Sequence, residues 1–241
     1  MSEILLRLDD VHTRIGRYHI LHGVDLAVRR GQVTMLLGRN GAGKTTTLRT
    51  IMGLWRASQG RITFDERRID DLATPDIARL GIGYVPENMG IFTQLTVREN
   101  LLLATGAKGL EEEGLDRLFA LFPSLKEKWR VPAGVLSGGQ KQMLAIGRAI
   151  IEPRRLLIVD EPTKGLAPAI IQVLIEAFLR LRGTDATILL VEQNFHMASA
   201  IGNDVAVMDD GRVVHSGTMA ALMADEGLQQ RLLGLSLSAH Q

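Results

Sequence analysis

The string Gly38-Arg39-Asn40-Gly41-Ala42-Gly43-Lys44-Thr45 lies between an apolar run, Val33 to Leu37, and a helix-forming stretch, and it leaves few folds open. It fits the pattern G-x-x-x-x-G-K-[ST], which is meaningful only with a buried strand before it and a helix after it. Glycines let successive backbone N–H groups turn inward around phosphate oxygens, and the helix N-terminus adds partial positive charge. Lys44 reaches the outer phosphates and Thr45 ligates magnesium in this reading. The plain alternative is a Gly-rich turn before a helix, and both flanks argue against it.

The rest of the chain supplies a sheet for that loop. Short β-rich runs (Ile4 to Leu8, Val24 to Val28, Val33 to Leu37, Arg61 to Phe64) come first, with turn residues such as Arg30-Gly31-Gln32 between them, and predict an antiparallel layer leading into a buried strand. Ile82 to Val85, Leu156 to Val159 and Ile188 to Val191 are too short for helices and are bounded by polar residues. Strands alternating with helical segments predict a largely parallel sheet with crossover helices. Between about Asn88 and Gly147 no buried strand is evident, whereas Val97 to Thr105, Gly114 to Phe122 and Gly138 to Ile151 read as helices. The expected organisation is one domain over 1–241, with core and β layer in 1–87 and 148–241 and a helical lobe in 88–147. The tail, Thr218 to Leu233, reads as helical before the closing GLSLSAHQ.

Composition narrows the class. Of 241 residues, 46% are apolar and 23% charged, which suits a well-cored globular chain. The formal charge is +1, and the arginine pairs at 29–30, 67–68 and 154–155 stay isolated, so nucleic acid is not an expected partner. The absence of cysteine excludes disulfides and thiolate metal sites, and the start MSEILLRLDD lacks the pattern of a signal peptide, so a cytoplasmic chain is expected. Leu166 to Leu181 is the most apolar stretch, yet Gln172, Glu176 and Arg180 recur in it as one wet stripe on a helix. Any path across a membrane must therefore come from another chain.

Two further strings carry chemistry. Leu156 to Val159 followed by Asp160-Glu161 is a buried strand ending in two carboxylates at a sheet's carboxyl edge, where ligands bind. Asp160 can hold magnesium, and Glu161 can polarise a water that attacks a terminal phosphate. Leu136-Ser137-Gly138-Gly139-Gln140 opens the helix that continues QMLAIGRAII. Ser137 can cap that helix, and the glycines leave backbone N–H groups bare for a phosphate.

Phosphate loop, then LSGGQ, then Asp160-Glu161 is an order that resembles the ABC ATPases, over nearly the whole chain. The resemblance implies an α/β fold: a P-loop NTPase (RecA-like) core with a mainly parallel sheet, an N-terminal antiparallel β layer and an inserted α-helical lobe. It implies ATP and Mg2+ as ligands. ATP is gripped by residues 38–45 and Thr46 of one subunit and by Leu136, Ser137, Gly138, Gly139 and Gln140 of another, identical or paralogous. It further implies integral-membrane permease subunits, a periplasmic or extracellular substrate-binding protein acting indirectly, and a peripheral place on the cytoplasmic face of the cell membrane. A soluble ABC ATPase of DNA repair or translation is the second reading, but it generally carries two cassettes or a long heptad arm, and neither is present. A regulatory module that holds ATP without turnover is the third, and Glu161 argues against it.

Four positions depart from the commoner family pattern. The residue that stacks on adenine falls at Ile15, with Tyr18 nearby but out of register. The usual glutamine at the magnesium and the attacking water is Glu87, a carboxylate that can still ligate the metal. The usual Ser-Ala-Leu-Asp becomes Lys164-Gly165-Leu166-Ala167-Pro168, so an inter-subunit aspartate is missing. The usual histidine is replaced by Gln193, which can donate a neutral hydrogen bond to the γ-phosphate, or alternatively cap the helix starting near Phe195. His196 is expected at the surface. Met89, Ile91 and Phe92 form an apolar cluster that is either core or an attachment surface for the permease. YVPEN, MLAIGRA, the GLAP string and LVEQN together resemble the ATPase subunits of importers for branched-chain amino acids and related amides or urea. In such systems the permease and binding protein choose the cargo.

Overall fold

Continuous burial along the short apolar runs 33–37, 156–159 and 188–191 decides the architecture. The computed structural model describes residues 3–106, 109–184 and 186–233. Its first elements are β1 (Ile4–Ile15), β2 (Tyr18–Arg29), β3 (Val33–Gly38), α1 (Lys44–Ile51), β4 (Ala57–Phe64), β5 (Arg67–Arg68), α2 (Thr74–Arg79) and β6 (Ile82–Val85). A helical stretch follows: α3 (Val97–Thr105), α4 (Glu112–Leu121), α5 (Pro123–Glu127) and α6 (Gly138–Ile150). The chain then returns to alternation with β7 (Leu156–Asp160), α7 (Pro168–Arg182), β8 (Ile188–Val191), α8 (Phe195–Ile201), β9 (Asp204–Asp209), β10 (Arg212–Thr218), α9 (Met219–Ala224) and α10 (Glu226–Leu233).

Strands order as β10-β9-β3-β8-β7-β6 in a six-stranded sheet and β2-β1-β4-β5 in a four-stranded antiparallel one. From β9 to β6 every pairing in the large sheet is parallel, and only β10 runs antiparallel at the edge. Strands β3, β7 and β8 are nearly unbroken in apolarity because both faces are covered. Met35, Leu157, Val159, Ile188 and Leu190 join one apolar cluster with the helices. Leu36, Leu156, Ile158, Leu189 and Val191 join another, beneath the antiparallel layer and α1. Arg29 closes the seam between the sheets, reaching both carboxylate oxygens of Asp204 at 2.7 and 2.5 Å.

The helical stretch packs on the same cluster as the sheet: Leu101, Leu118, Phe122 and Leu144 share it with Leu157 and Val159. Helix α3 starts at a capping box, with Thr96 accepting from the Glu99 N–H and Glu99 accepting from the Thr96 N–H. On α7, Gln172, Glu176 and Arg180 are exposed while Leu174, Ile175, Ala177 and Phe178 are buried, as the wet stripe predicts. Among the described residues no helix is long and apolar enough to cross a membrane.

The structure corrects the sequence reading in four places. Strands β1 and β2 are 12 residues each, longer than the apolar runs, because His12, Arg14, His19 and His22 continue the extended chain with polar side chains. Helix α4 begins at Glu112, before the expected Gly114. Strands β9 and β10 were not expected; their hairpin turns at Asp210-Gly211, both with positive φ (42° and 71°), an Asp-Gly turn whose twist suits a two-residue connection. The tail helix is broken at Asp225, whose carboxylate accepts from the Leu228 N–H at 2.8 Å and starts α10 afresh. The closing GLSLSAHQ lies outside the described residues.

Phe178 is fully buried where α7 meets the sheet. Phe178→Ala should lower unfolding free energy by about 3–5 kcal/mol, measured by urea denaturation, because the cavity left cannot be refilled by a close-packed surround.

Candidate active site

Strands β3, β8, β7 and β6 are neighbours and parallel, so the residues following each emerge on one edge of the sheet. Those residues are Gly38 onward, Glu192-Gln193, Asp160-Glu161 and Glu87. The edge is polar because the strands themselves are not.

At the end of β3 the loop closes around the side chain of Lys44. Gly38 has φ 147°, and a Cβ there would lie 2.3 Å from the Met208 carbonyl oxygen, so only glycine lets the loop leave the sheet beside β9. Gly43 precedes α1 with φ 100°, and no side chain caps that helix. The bare helix N-terminus is left to anions. The Lys44 ammonium donates to the carbonyls of Gly38 at 2.8 Å and Arg39 at 3.0 Å and lies 3.4 Å from a Glu161 carboxylate oxygen. A cleft of about 370 Å³ opens here, lined by Ile20, Asn40, Gly41, Gly43, Lys44, Thr45, Thr46, Glu87, Glu161 and Lys164.

The carboxylates behave differently from one another. Asp160 is buried, and loss of solvent pushes its carboxyl up to about 6; the Thr45 hydroxyl pulls against that, while Glu161 and Glu87 add to it. Its Oδ1 accepts from Thr45 Oγ at 3.1 Å, whereas Oδ2 is buried with no hydrogen-bond partner among the described residues. An orphaned carboxylate oxygen beside a threonine hydroxyl fits a hard divalent cation that takes oxygen ligands. Glu161 adopts φ 46°, a left-handed conformation unusual for a non-glycine residue and held here by surrounding contacts. Its Oε1 accepts from Gln193 Nε2 at 2.7 Å. Gln193 Nε2 also donates to Asn40 Oδ1 at 2.7 Å, tying the loops after β3, β7 and β8 together.

Several expected site residues take places that the sequence did not reveal. Gln193 does not cap α8; the neighbouring Asn194 does, accepting from the Met197 N–H at 3.1 Å. His196 is exposed, as expected. Ile15 stands at the tip of the β1–β2 hairpin opposite Tyr18, and the residue of that hairpin that lines the cleft is Ile20. Glu87 pairs with Lys164 at 2.5 Å, and this neighbour raises the lysine's pKa. Lys164 lines the cleft and was missed as a site residue; the departure at that string was its only signal. Glu192 was missed too. It is buried with its carboxyl pushed up by burial, although it accepts from three backbone N–H groups.

Leu136 to Gln140 do not line the cleft. Ser137 and Gln140 form a capping box at the start of α6, with hydrogen bonds of 3.3 and 3.1 Å. The two glycines have different duties: Gly138 is exposed, but a Cβ on Gly139 would meet Ile170 at 2.6 Å, so Gly139 serves close packing against α7. Of the apolar cluster beyond β6, Met89 and Ile91 pack against the core, and Phe92 is 48% exposed beneath the Arg148 guanidinium.

A glycine-lined phosphate loop beside two strand-end carboxylates on a parallel sheet defines an ATPase of the phosphate-loop class. The family model for "ABC transporter" matches residues 21–164. The chain is 39% identical to the high-affinity branched-chain amino acid transport ATP-binding protein BraG of Pseudomonas aeruginosa, over 95% of this chain and 100% of that one. It is 34% identical to the probable branched-chain amino acid transport ATP-binding protein LivF of Archaeoglobus fulgidus, over 96% and 99%. Among solved structures, the ADP conformation of an ATP-binding cassette of an ABC transporter, MJ1267, superposes with TM-score 0.81 at 26% identity, covering 97% of this chain and 100% of that one. The chain belongs to the ABC transporter family, as its ATP-hydrolysing cassette.

With a carboxyl that titrates near 6, Asp160 binds its proton more tightly in the folded chain than in the unfolded one. Its ionisation therefore costs stability as pH rises from about 4 to 6, and the whole cost is present above that range. In the presence of a chelator, Asp160→Asn should raise the melting temperature by about 5 °C at pH 7.5, and this gain should shrink towards pH 4.

Proposed function

We propose that this chain powers an ABC importer for branched-chain amino acids or related small amides, as one half of a dimer that sandwiches ATP. The observation carrying the catalytic part is the meeting of Lys44, Glu161, Gln193 and Asn40 through contacts of 2.7 to 3.4 Å. Backbone N–H groups of residues 38–45 and the Lys44 ammonium bind the outer phosphates. Thr45 and Asp160 would hold magnesium, with Glu87 as a third ligand once it parts from Lys164; when bound, the metal draws negative charge from the phosphates. Glu161 orients a water for in-line attack and accepts its proton. Gln193 donates its two amide N–H groups to Asn40 and Glu161, and on releasing Asn40 it would turn one of them to the γ-phosphate.

The second half of each site comes from Leu136, Ser137, Gly138, Gly139 and Gln140 of a partner ATPase, identical or paralogous. Their placement outside the cleft of their own chain supports that reading. Integral-membrane permeases attach beside β6, where Phe92 is exposed and a cleft of about 320 Å³ is lined in part by Met89, Gly90 and Arg148. A substrate-binding protein outside the membrane delivers the cargo, and this chain stays peripheral on the cytoplasmic face. Two relatives whose names specify branched-chain amino acid transport support the cargo class.

Glu161→Gln should retain ATP binding while cutting turnover by about 10²-fold or more, read by steady-state hydrolysis and nucleotide titration. A wild-type rate would remove Glu161 from the role of base. Lys44→Ala should instead weaken ATP binding by at least about tenfold, and an unchanged affinity would refute its role. Isolated under mild detergent from its native membrane, the chain should come out with an integral-membrane protein; a stable soluble partner in its place would exclude the importer.

A further inference from the structure

The ladder between β7 and β8 ends with the Glu161 N–H donating to the Val191 carbonyl at 2.9 Å. Beyond that point the two chains diverge into loops carrying the reactive groups, and backbone N–H groups in a buried region need another acceptor. The Glu192 carboxylate supplies it. Oε1 accepts from the Thr163 N–H at 3.0 Å, across to the loop after β7. Oε2 accepts from the N–H groups of Gln193 at 3.0 Å and Asn194 at 3.1 Å, in its own loop. Glu192 is only 2% exposed; it is absent from the lining of the cleft around Lys44 and borders instead a smaller cavity of about 140 Å³ behind Gly38, Arg39 and Gln193.

We infer that Glu192 is the positioning residue of this site, clamping the loops after β7 and β8 so that Glu161 and Gln193 face the same water. Three observations converge on it. Glu161 holds a left-handed backbone conformation that its surroundings must enforce, and Thr163, two residues on, is anchored to Glu192. Gln193 donates to Glu161 at 2.7 Å, and its own backbone is fixed by the same carboxylate. The residue type is also demanded, because a carboxylate is the side chain that accepts on both oxygens. A glutamine would turn its amide N–H towards at least one of the three backbone N–H groups, and alanine would leave all three without this acceptor.

The inference rests on the reading of Glu161 as the base, so Glu161→Gln is the reference arm. In the full chain, Glu192→Gln should lower kcat for ATP hydrolysis by about 10- to 100-fold with KM for ATP within about threefold, since displacement of the reacting groups by about 1 Å suffices. In the Glu161→Gln background the same change should lower kcat by less than about twofold, because the group it positions is already gone. Glu192→Asp keeps the charge but is one methylene too short to span both loops, and it serves as the test if the glutamine variant does not fold. Its kcat should fall about tenfold with the melting temperature within about 3 °C of wild type. Wild-type kcat in a folded variant, a rise in KM alone, or an undiminished loss in the Glu161→Gln background would overturn the inference. If Glu161→Gln itself hydrolysed ATP at the wild-type rate, the reading of Glu161 would fall, and this inference with it.

Discussion

The whole arrangement depends on a parallel run of strands buried on both faces. Because β3, β8, β7 and β6 lie side by side in one direction, four loops from distant parts of the sequence emerge along a single edge, roughly 5 Å apart strand by strand. An apolar sheet interior cannot carry charge, so the polar residues needed for phosphate chemistry concentrate where the strands stop. Lys44, Glu87, Asp160, Glu161, Glu192 and Gln193 all stand within a few residues of such an end.

Charge is then balanced across the edge by ion pairs, buried at Lys44 and partly exposed at Lys164. Lys44 lies beside Glu161, and Lys164 beside both Glu87 and Glu161. Where the commoner family pattern has a neutral glutamine, this chain adds a carboxylate at Glu87, and it sets a lysine against it at 164. Among the described residues Asp160 has no ion pair of this kind, and the charge of Arg49 offsets its burial only in part. The Thr45 hydroxyl donates to Asp160 Oδ1, and Oδ2 stays buried and unpartnered among the described residues, a donor set that fits a divalent cation.

Much of this was legible from residue order. The phosphate loop, the strand-end carboxylates and the LSGGQ helix carry local backbone requirements, so their strand, turn and helix contexts followed from neighbouring residues; β6, α3 and β8 have the expected limits. Hairpin β9–β10 was less visible because its apolar runs are short and its turn signal, Asp-Gly, falls in an otherwise polar segment. Glu192 was invisible for another reason. A carboxylate at the end of a strand looks like a solvated end, and nothing in the order of residues says that three N–H groups from two loops converge on it.

Sequence alone determined the kind of chemistry, because a phosphate loop and a strand ending in two carboxylates are defined by residues adjacent in the chain. It also marked the altered positions at 87, 164 and 193. Tertiary structure decided who meets whom: Glu87 with Lys164, Gln193 with Asn40 and Glu161, Glu192 with Thr163, and Gly139 with Ile170. Those contacts join segments 29 to 153 residues apart for the hydrogen bonds through Glu192 and from Gln193 to Asn40. Pairings over such separations are set by strand order and by the burial of both sheet faces, which are properties of the folded chain and not of any local pattern.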